Sequence, residues 1–231
     1  REEDVELLLS IHSTPTGISY VYLEPFMEIE VYYDVVAKFH AAGVHQHMYT
    51  NGIRANEENL RALARAGLDE LRFNLGATNC SERVLENMAL AARILPHVGI
   101  ETPMTPEFYE TFLRKKERIL TSGIEFINCA ELHLNENNLQ NYAGEPLYMY
   151  RQGYLSPIWS HELTLRLMRV AAEEAGMWYC TTVATAPSSP ETSTCAPRRA
   201  AGSAPAPTAA SLRACPTPRF CPCCATKASP L

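Results

Sequence analysis

A repeated unit constrains this sequence most: an amphipathic helix, then a glycine, then a short run of β-forming residues. The unit is clearest where a helix predicted over residues 33–42 is followed by Gly43 and a strand over 44–49. The same order predicts strands at 18–23, 44–49, 70–75, 100–104 and 124–134, and helices at 3–11, 33–42, 56–66, 81–95, 107–121 and 161–175. Strands that alternate with helices at this spacing indicate a parallel sheet with right-handed crossovers.

The number of strands limits the architecture. Five strands, or six if residues 177–183 also form one, are too few for a closed eight-stranded barrel. We therefore expect an α/β fold, a partial (βα) TIM-like barrel with parallel strands, and keep a doubly wound sheet as the alternative. Residues 135–157 are long and helix-poor, and an ordered loop of this length is often functional.

The composition changes abruptly near residue 185, which divides the chain into a barrel domain (1–185) and a tail (186–231). The tail holds nine of the 16 prolines and a single acidic residue, Glu191. A segment with so few large apolar side chains cannot offset the entropy of ordering it. We expect a low-complexity tail that is either disordered or read out of frame, and we assign it no fold.

Charge and composition exclude several classes of protein. The net charge of -6 and the pI near 5.7 argue against a nucleic-acid-binding surface. No apolar run of about eighteen residues predicts a membrane span, and the acidic N-terminus does not resemble a secretory signal. We therefore expect a cytoplasmic protein without a membrane or nucleic-acid partner. Five of the eight cysteines lie in the tail, a distribution unlike that of a disulfide framework. We expect Cys80 and Cys129, which lie in the barrel domain, to be buried thiols.

Ligands of parallel α/β folds bind beyond the carboxyl ends of the strands. In this chain the rule selects neutral or acidic polar residues, namely Glu24, Thr50, Asn51, Asn74, Thr102 and Asn128. Taken singly, Thr50 to Gly52 is typical of a turn, and Glu24 of a solvated loop carboxylate. No glycine-rich phosphate loop is present, and we predict no metal site from His45 and His47. Glu131 and His133 alternate on one strand face, as either a polar lining or a cross-strand pair.

Three motifs in this order together resemble the radical S-adenosylmethionine (SAM) superfamily. YLEPFM at residues 22–27 resembles the family's Gly-Gly-Glu-Pro motif, and HMYTNG at 47–52 resembles its Thr-Asn-Gly strand end. AGLDELRFNL at 66–75 is similar to the family's fourth strand. The resemblance covers about residues 5–180.

The resemblance implies a SAM site and a catalytic mechanism. Glu24 would contact the amino group of SAM, with Thr50, Asn51 and Asn74 near its ribose or carboxylate and Thr102 and Asn128 close to the SAM or substrate pocket. In the family, SAM binds beside a [4Fe–4S] cluster and yields a 5′-deoxyadenosyl radical that takes a hydrogen atom from the substrate. The partners implied are an electron donor such as a flavodoxin or ferredoxin and a substrate, small molecule or protein, that the sequence does not define.

Two departures from the family pattern stand out. Tyr22 and Leu23 replace the two glycines before the glutamate, and no cysteine precedes Cys80, so the Cys-x3-Cys-x2-Cys cluster motif is absent. We expect that the chain is truncated at its N-terminus and therefore lacks the segment that holds this motif. The alternative is a family member that has lost the motif. In either case we expect the chain alone to be inactive. The competing hypothesis is a non-catalytic βα domain, a binding or scaffold module whose cysteine-rich tail holds Zn²⁺.

Overall fold

The computed structural model describes residues 2–11, 17–21, 23–149, 153–175 and 180–181. The helices are α1 (Glu2–Ile11), α2 (Glu30–Ala41), α3 (Glu57–Ala66), α4 (Glu82–Ile94), α5 (Pro106–Leu120) and α6 (Ile158–Ala175). The strands are β1 (Gly17–Tyr20), β2 (His45–Thr50), β3 (Glu70–Phe73), β4 (His97–Met104), β5 (Phe126–Glu131), β6 (Leu147–Met149), β7 (Leu155–Pro157) and β8 (Cys180–Thr181).

Six strands form one sheet in the order β1-β2-β3-β4-β5-β8. Every neighbouring pair in it is parallel, and the strands follow one another in chain order, with β6 and β7 outside this sheet. The predicted parallel βα architecture and partial barrel are confirmed. The observed bounds differ slightly from the predicted ones: β4 begins at His97, so Gly99 lies inside the strand instead of before it.

Local sequence signals explain where the helices begin and end. The side chain of Asn56 caps α3 by accepting a hydrogen bond from the backbone N–H of Asn59 at 2.9 Å. Gly67 ends the same helix with a φ of +91°, a left-handed conformation that a β-carbon disfavours. α5 begins in the same manner, with Thr105 as its cap and Pro106 at its first position.

The main core lies between the helices and one face of the sheet. Alternate residues of the strands are buried there, among them Met48, Leu71, Phe73, Ile100 and Ile127. Residues between them, such as Tyr49 and Arg72, point to the opposite face and are only partly buried. The sheet thus has an apolar face under the helices and a polar face.

Residues 135–157 are helix-poor, as we expected, but their described part also contains two short strands. They contain a short 3-10 turn, Leu139–Tyr142, and an antiparallel pair formed by β6 and β7. Leu134 pairs with Leu155 and thereby joins this hairpin to the end of β5. With three residues each, these strands are too short to show a periodic pattern in the sequence.

The prediction of a tail without fold over 186–231 falls outside the described residues, as does most of the predicted strand over 177–183. Among the helices that the structure describes, none is long and apolar enough to cross a membrane.

Candidate functional site

Glu24 lies at the carboxyl edge of the sheet and joins two loops. It precedes the 3-10 turn Pro25–Met27, and its Oε1 accepts a hydrogen bond from the N–H of Phe26 at 3.2 Å. The same oxygen accepts from the Thr50 hydroxyl at 2.8 Å, and Oε2 accepts from the N–H of Asn51 at 2.6 Å. This carboxylate therefore connects the segment after β1 to the end of β2.

The turn from Thr50 to Gly52 is fixed from several sides. The Thr50 hydroxyl accepts from the N–H of Gly52 at 2.9 Å, and Asn51 Oδ1 accepts from the N–H of Ile53 at 2.9 Å. Gly52 has a φ of +77°, and a β-carbon there would lie 2.7 to 2.8 Å from Phe73 and Val84. Glycine at position 52 is thus favoured both by the backbone conformation and by the close packing beneath it.

Asn74 and Thr102 form the next part of this edge. The N–H of Asn74 donates to the carbonyl of Thr50 at 2.8 Å, which continues the hydrogen-bonded chain from β2 to β3. The Thr102 hydroxyl donates to Asn74 Oδ1 at 2.9 Å and accepts from the N–H of Gly76 at 3.1 Å. Asn74 Oδ1 accepts a further bond, from the N–H of Ala77 at 3.1 Å. Five of the six residues selected from the sequence, Glu24, Thr50, Asn51, Asn74 and Thr102, are therefore brought together.

Some donors at this edge have no partner among the described contacts. They are the side-chain amide groups of Asn51 and Asn74 and the hydroxyl of Thr78, which is buried in the 3-10 turn after β3. The oxygens of Asn51 and Asn74, by contrast, already accept backbone hydrogen bonds. Among the described side chains, this edge thus has donors that no described contact uses, an arrangement suited to a ligand group rich in oxygen.

Asn128 is not part of this group. It lies in the middle of β5 next to Glu101 of β4, whereas Thr102 pairs with Cys129. Because side chains alternate along a strand, Asn128 and Glu101 point to the polar face and Thr102 to the helix-covered face. The sequence analysis assigned Asn128 to the carboxyl edge although the predicted strand, 124–134, extends six residues beyond it, and the sequence pattern did not decide which face of the sheet Asn128 occupies.

The polar face carries a charged network that the sequence analysis did not select. Arg72 donates through Nη1 to Glu101 Oε2 at 2.6 Å and to the Tyr49 hydroxyl at 3.1 Å, and through Nε to Glu70. The guanidinium also lies 5.5 Å from the ring centres of Tyr49 and Phe126. Charged residues in the interior of a parallel strand are unusual, and this was the signal available in the sequence.

The network shifts the titration of its members. Burial would lower the pKa of Arg72, but the carboxylates of Glu70 and Glu101 reverse this effect and raise it. Burial and the charge of Glu101 raise the pKa of Tyr49 to about 12. Burial, with Arg72 and His45, lowers the pKa of His47 to about 4, so His47 is neutral at pH 7.

Leu23 has the backbone conformation that glycine would favour. Its φ is +48°, and 85% of the residue is exposed. The family motif to which residues 22–27 are similar has glycine at this position, immediately before the glutamate. Leu23 thus adopts a left-handed backbone at the position where the family motif has glycine.

The described residues do not form a metal or cluster site. Cys80 and Cys129 are buried single thiols, and no group of three histidine, cysteine or acidic side chains with metal-binding geometry occurs among the described residues. A [4Fe–4S] cluster therefore does not fit the residues described. The alternative hypothesis of a zinc site rests on the cysteines of the tail, which lie outside the described residues.

The fold and the edge together define a class of protein, a parallel βα domain with a polar, hydrogen-bonded edge at the carboxyl ends of its strands. No protein-family model matches the sequence. A protein of Methanocaldococcus jannaschii named as a glycyl-radical enzyme activating enzyme is 36% identical over 102 residues, or 41% of this chain and 27% of that protein. The chain thus spans about a quarter of the length of this curated relative.

A solved structure agrees on the fold. A domain of pyruvate-formate lyase-activating enzyme from Bacteroides vulgatus superimposes with a TM-score of 0.51 at 16% identity, covering 73% of this chain and 99% of that domain. The partial sequence similarity supports the resemblance to the radical SAM superfamily that the motifs at residues 22–27, 47–52 and 66–75 indicate, and the solved structure supports the fold.

Proposed function

We propose that this domain supplies the SAM-binding edge of a radical SAM enzyme, with Glu24, Thr50, Asn51, Asn74 and Thr102 as the residues that form it. The observation that carries the proposal is the continuous hydrogen-bonded chain from Glu24 through Thr50 to Asn74 and Thr102. It spans four neighbouring strands or strand ends at the edge where ligands of parallel sheets bind.

The residues present fit SAM in chemical character. The free amide groups of Asn51 and Asn74 and the Thr78 hydroxyl suit a carboxylate or ribose oxygens. Glu24 accepts three hydrogen bonds within the protein, and a carboxylate has about four acceptor positions, so one position is left for an ammonium group. When bound in an active enzyme, SAM supplies the radical that takes a hydrogen atom from the substrate. The residues of this chain bind and orient the molecule.

Asn128 has a different place in the proposal. On the polar face beside Glu101 it would contact substrate instead of SAM. The partners proposed for the whole enzyme are a substrate and an electron donor such as a flavodoxin or ferredoxin. The curated relative is named as an activator of a glycyl-radical enzyme, which makes a protein substrate of that kind the proposal for this chain.

Direct binding tests the proposal without turnover. SAM is titrated into the 231-residue protein and binding is followed by calorimetry or by NMR of backbone amides. We expect weak, saturable binding, with a dissociation constant of roughly 1 mM, about 4 kcal/mol. The amide signals of residues 24, 51 and 74 should move together.

Two matched variants make this test specific. Thr78→Val removes a hydroxyl that makes no hydrogen bond in the protein, so it should weaken SAM binding about fivefold, or ~1 kcal/mol, without loss of stability. Thr164→Val removes a buried hydroxyl without a partner on α6 and should leave SAM binding unchanged. Equal SAM affinity of the Thr78→Val variant and the parent would exclude the Thr78 hydroxyl from the site. Absence of saturable binding in the parent protein would refute the proposed function of this domain.

A further inference from the structure

A second polar cluster lies beyond the carboxyl end of β5, separate from the chain of Glu24, Thr50, Asn74 and Thr102. It consists of Glu131, the last residue of β5, Tyr148 of β6 and His161 in the first turn of α6. The three residues come from three different elements, and the hairpin of β6 and β7 contributes one of them.

The carboxylate of Glu131 forms the centre of the cluster. Its side chain is 1% exposed, and it binds the imidazole of His161, with 2.9 Å between Oε1 and Nδ1. Tyr148 donates its hydroxyl proton to Oε2. The Tyr148 ring stands edge-on to the imidazole, with 5.6 Å between ring centres. A buried carboxylate is costly without such donors, so the cluster satisfies Glu131 and holds the imidazole in place.

The helix that carries His161 is itself fixed to the sheet. The adjacent Ser160, fully buried, donates to the carbonyl of Met104 at 2.7 Å and accepts from the N–H of Leu132 at 2.9 Å. These two bonds join the first turn of α6 to the ends of β4 and β5. His161 therefore has a defined position relative to the edge of the sheet.

The orientation of His161 determines its chemistry. A carboxylate at Nδ1 favours the tautomer with the proton on that nitrogen, which leaves a lone pair on Nε2. The side chain of His161 is 42% exposed, and no described contact uses its Nε2. The same arrangement, in which a buried carboxylate orients a histidine with an open second nitrogen, is used for proton acceptors and for ligand binding in many enzymes.

We propose that Glu131, Tyr148 and His161 form a second binding site at this edge, in which Nε2 of His161 accepts a hydrogen bond from a neutral hydroxyl or amide N–H of a ligand. Glu131 is the positioning residue, and Tyr148 completes its hydrogen bonds. The site does not depend on the proposed binding of SAM, because it shares no residue with the chain from Glu24 to Thr102.

The chain contains a matched control for this cluster. His97 and Glu125 have the same distance of 2.9 Å between imidazole Nδ1 and carboxylate, but lie near the amino ends of the strands with both side chains about half exposed, at 45% and 46%. Water competes with an exposed pair of this kind. The two imidazoles are about equally exposed, so a difference between them reflects the burial of the partner carboxylate.

The tautomer of each histidine is measured first. Nitrogen-15 NMR of the full chain, recorded about two pH units above the ordinary imidazole pKa of about 6.5, distinguishes the two neutral forms. We expect His161 to carry its proton on Nδ1, and His97 to populate both tautomers. Glu131→Gln should remove the preference at His161 and leave His97 unchanged. A purely structural role for Glu131 would not affect the tautomer of a histidine that remained in place.

Reactivity of Nε2 is measured with diethyl pyrocarbonate, which acylates an accessible neutral imidazole nitrogen. We expect His161 to react faster than His97, and Glu131→Gln to slow His161 on the order of tenfold, the lower end of the effect of such orienting partners. Tyr148→Phe keeps the Glu131 carboxylate and should therefore slow the acylation of His161 less than Glu131→Gln does. This variant replaces Glu131→Gln in the test if Glu131→Gln does not fold. Equal acylation of both histidines, or a His161 tautomer unaffected by these variants, would overturn the proposal.

Discussion

Replacement of Glu24 by alanine removes a carboxylate that joins the segment after β1 to the end of β2. It deletes an acceptor for Phe26 N–H, the Thr50 hydroxyl and Asn51 N–H. A hydrogen bond to a charged group contributes about 1.5–3 kcal/mol to stability, with the lower value for a half-exposed group. Counting the two shorter bonds at the lower value, we expect Glu24→Ala to lower the free energy of unfolding by about 3 kcal/mol.

Urea unfolding followed by circular dichroism measures this loss as a shift of the midpoint at constant slope. Glu24→Gln should lose about half as much, because the amide keeps one acceptor oxygen but places its NH₂ group against one of the donors. Glu28→Ala is the control: Glu28 is exposed in the same turn and no described hydrogen bond uses its side chain. It should stay within about 0.5 kcal/mol of the parent.

A loss below about 1 kcal/mol in Glu24→Ala would refute this reasoning. It would show that water replaces the carboxylate at Thr50 and Asn51 at almost no cost. Glu24 would then be free to serve a ligand, and the chain of hydrogen bonds would not be a structural element of the edge.

Three further predictions concern backbone conformation and pH. Gly52→Ala should destabilise the protein by about 3 kcal/mol, since it adds a steric clash to an unfavourable positive φ, whereas Gly43→Ala, with a φ of +72° and open space around it, should cost only about 1 kcal/mol in the same unfolding assay. Leu23→Gly should be neutral or stabilising by up to about 1 kcal/mol because it relieves a left-handed conformation at an exposed residue, and a clear loss of stability would contradict this. The pKa of His47 is about 4 in the folded state, mainly through burial, and about 6.5 in the unfolded state, so the unfolded state binds the proton first as the pH falls. Stability should therefore fall between about pH 6.5 and pH 4, by up to about 2 kcal/mol after solvent screening, and His47→Gln should flatten this part of the pH profile.

The sequence predicted the parts of this fold that depend on local signals. Asn56 and Gly67 mark the two ends of α3 because a cap and a left-handed glycine are determined by the residues themselves. The carboxyl-edge rule found Glu24, Thr50 and Asn74 because the ends of parallel strands meet at one edge whatever the exact register is. The grouping of these side chains therefore follows from topology.

Features that depend on register or on contacts distant in sequence were missed. Arg72 meets Glu101 only because β3 and β4 are paired in one particular register. Glu131 and His161 are thirty residues apart, and the hairpin between them brings Tyr148 to the same place. The left-handed backbone of Leu23 is invisible in a sequence that lacks the expected glycine.

The structural role of Glu24 changes how a loss of SAM binding in its variants must be interpreted. Two of its three internal hydrogen bonds, from Thr50 and Asn51, join it to other residues of the proposed site, so Glu24→Ala would displace Thr50 and Asn51 as well as remove a carboxylate. Reduced binding by this variant is expected whether or not Glu24 contacts the ligand. The hydroxyl of Thr78 forms no hydrogen bond in the protein, so its removal changes only what the site offers to a ligand. Evidence for a ligand contact at this edge must therefore come from residues whose polar groups the fold itself does not use.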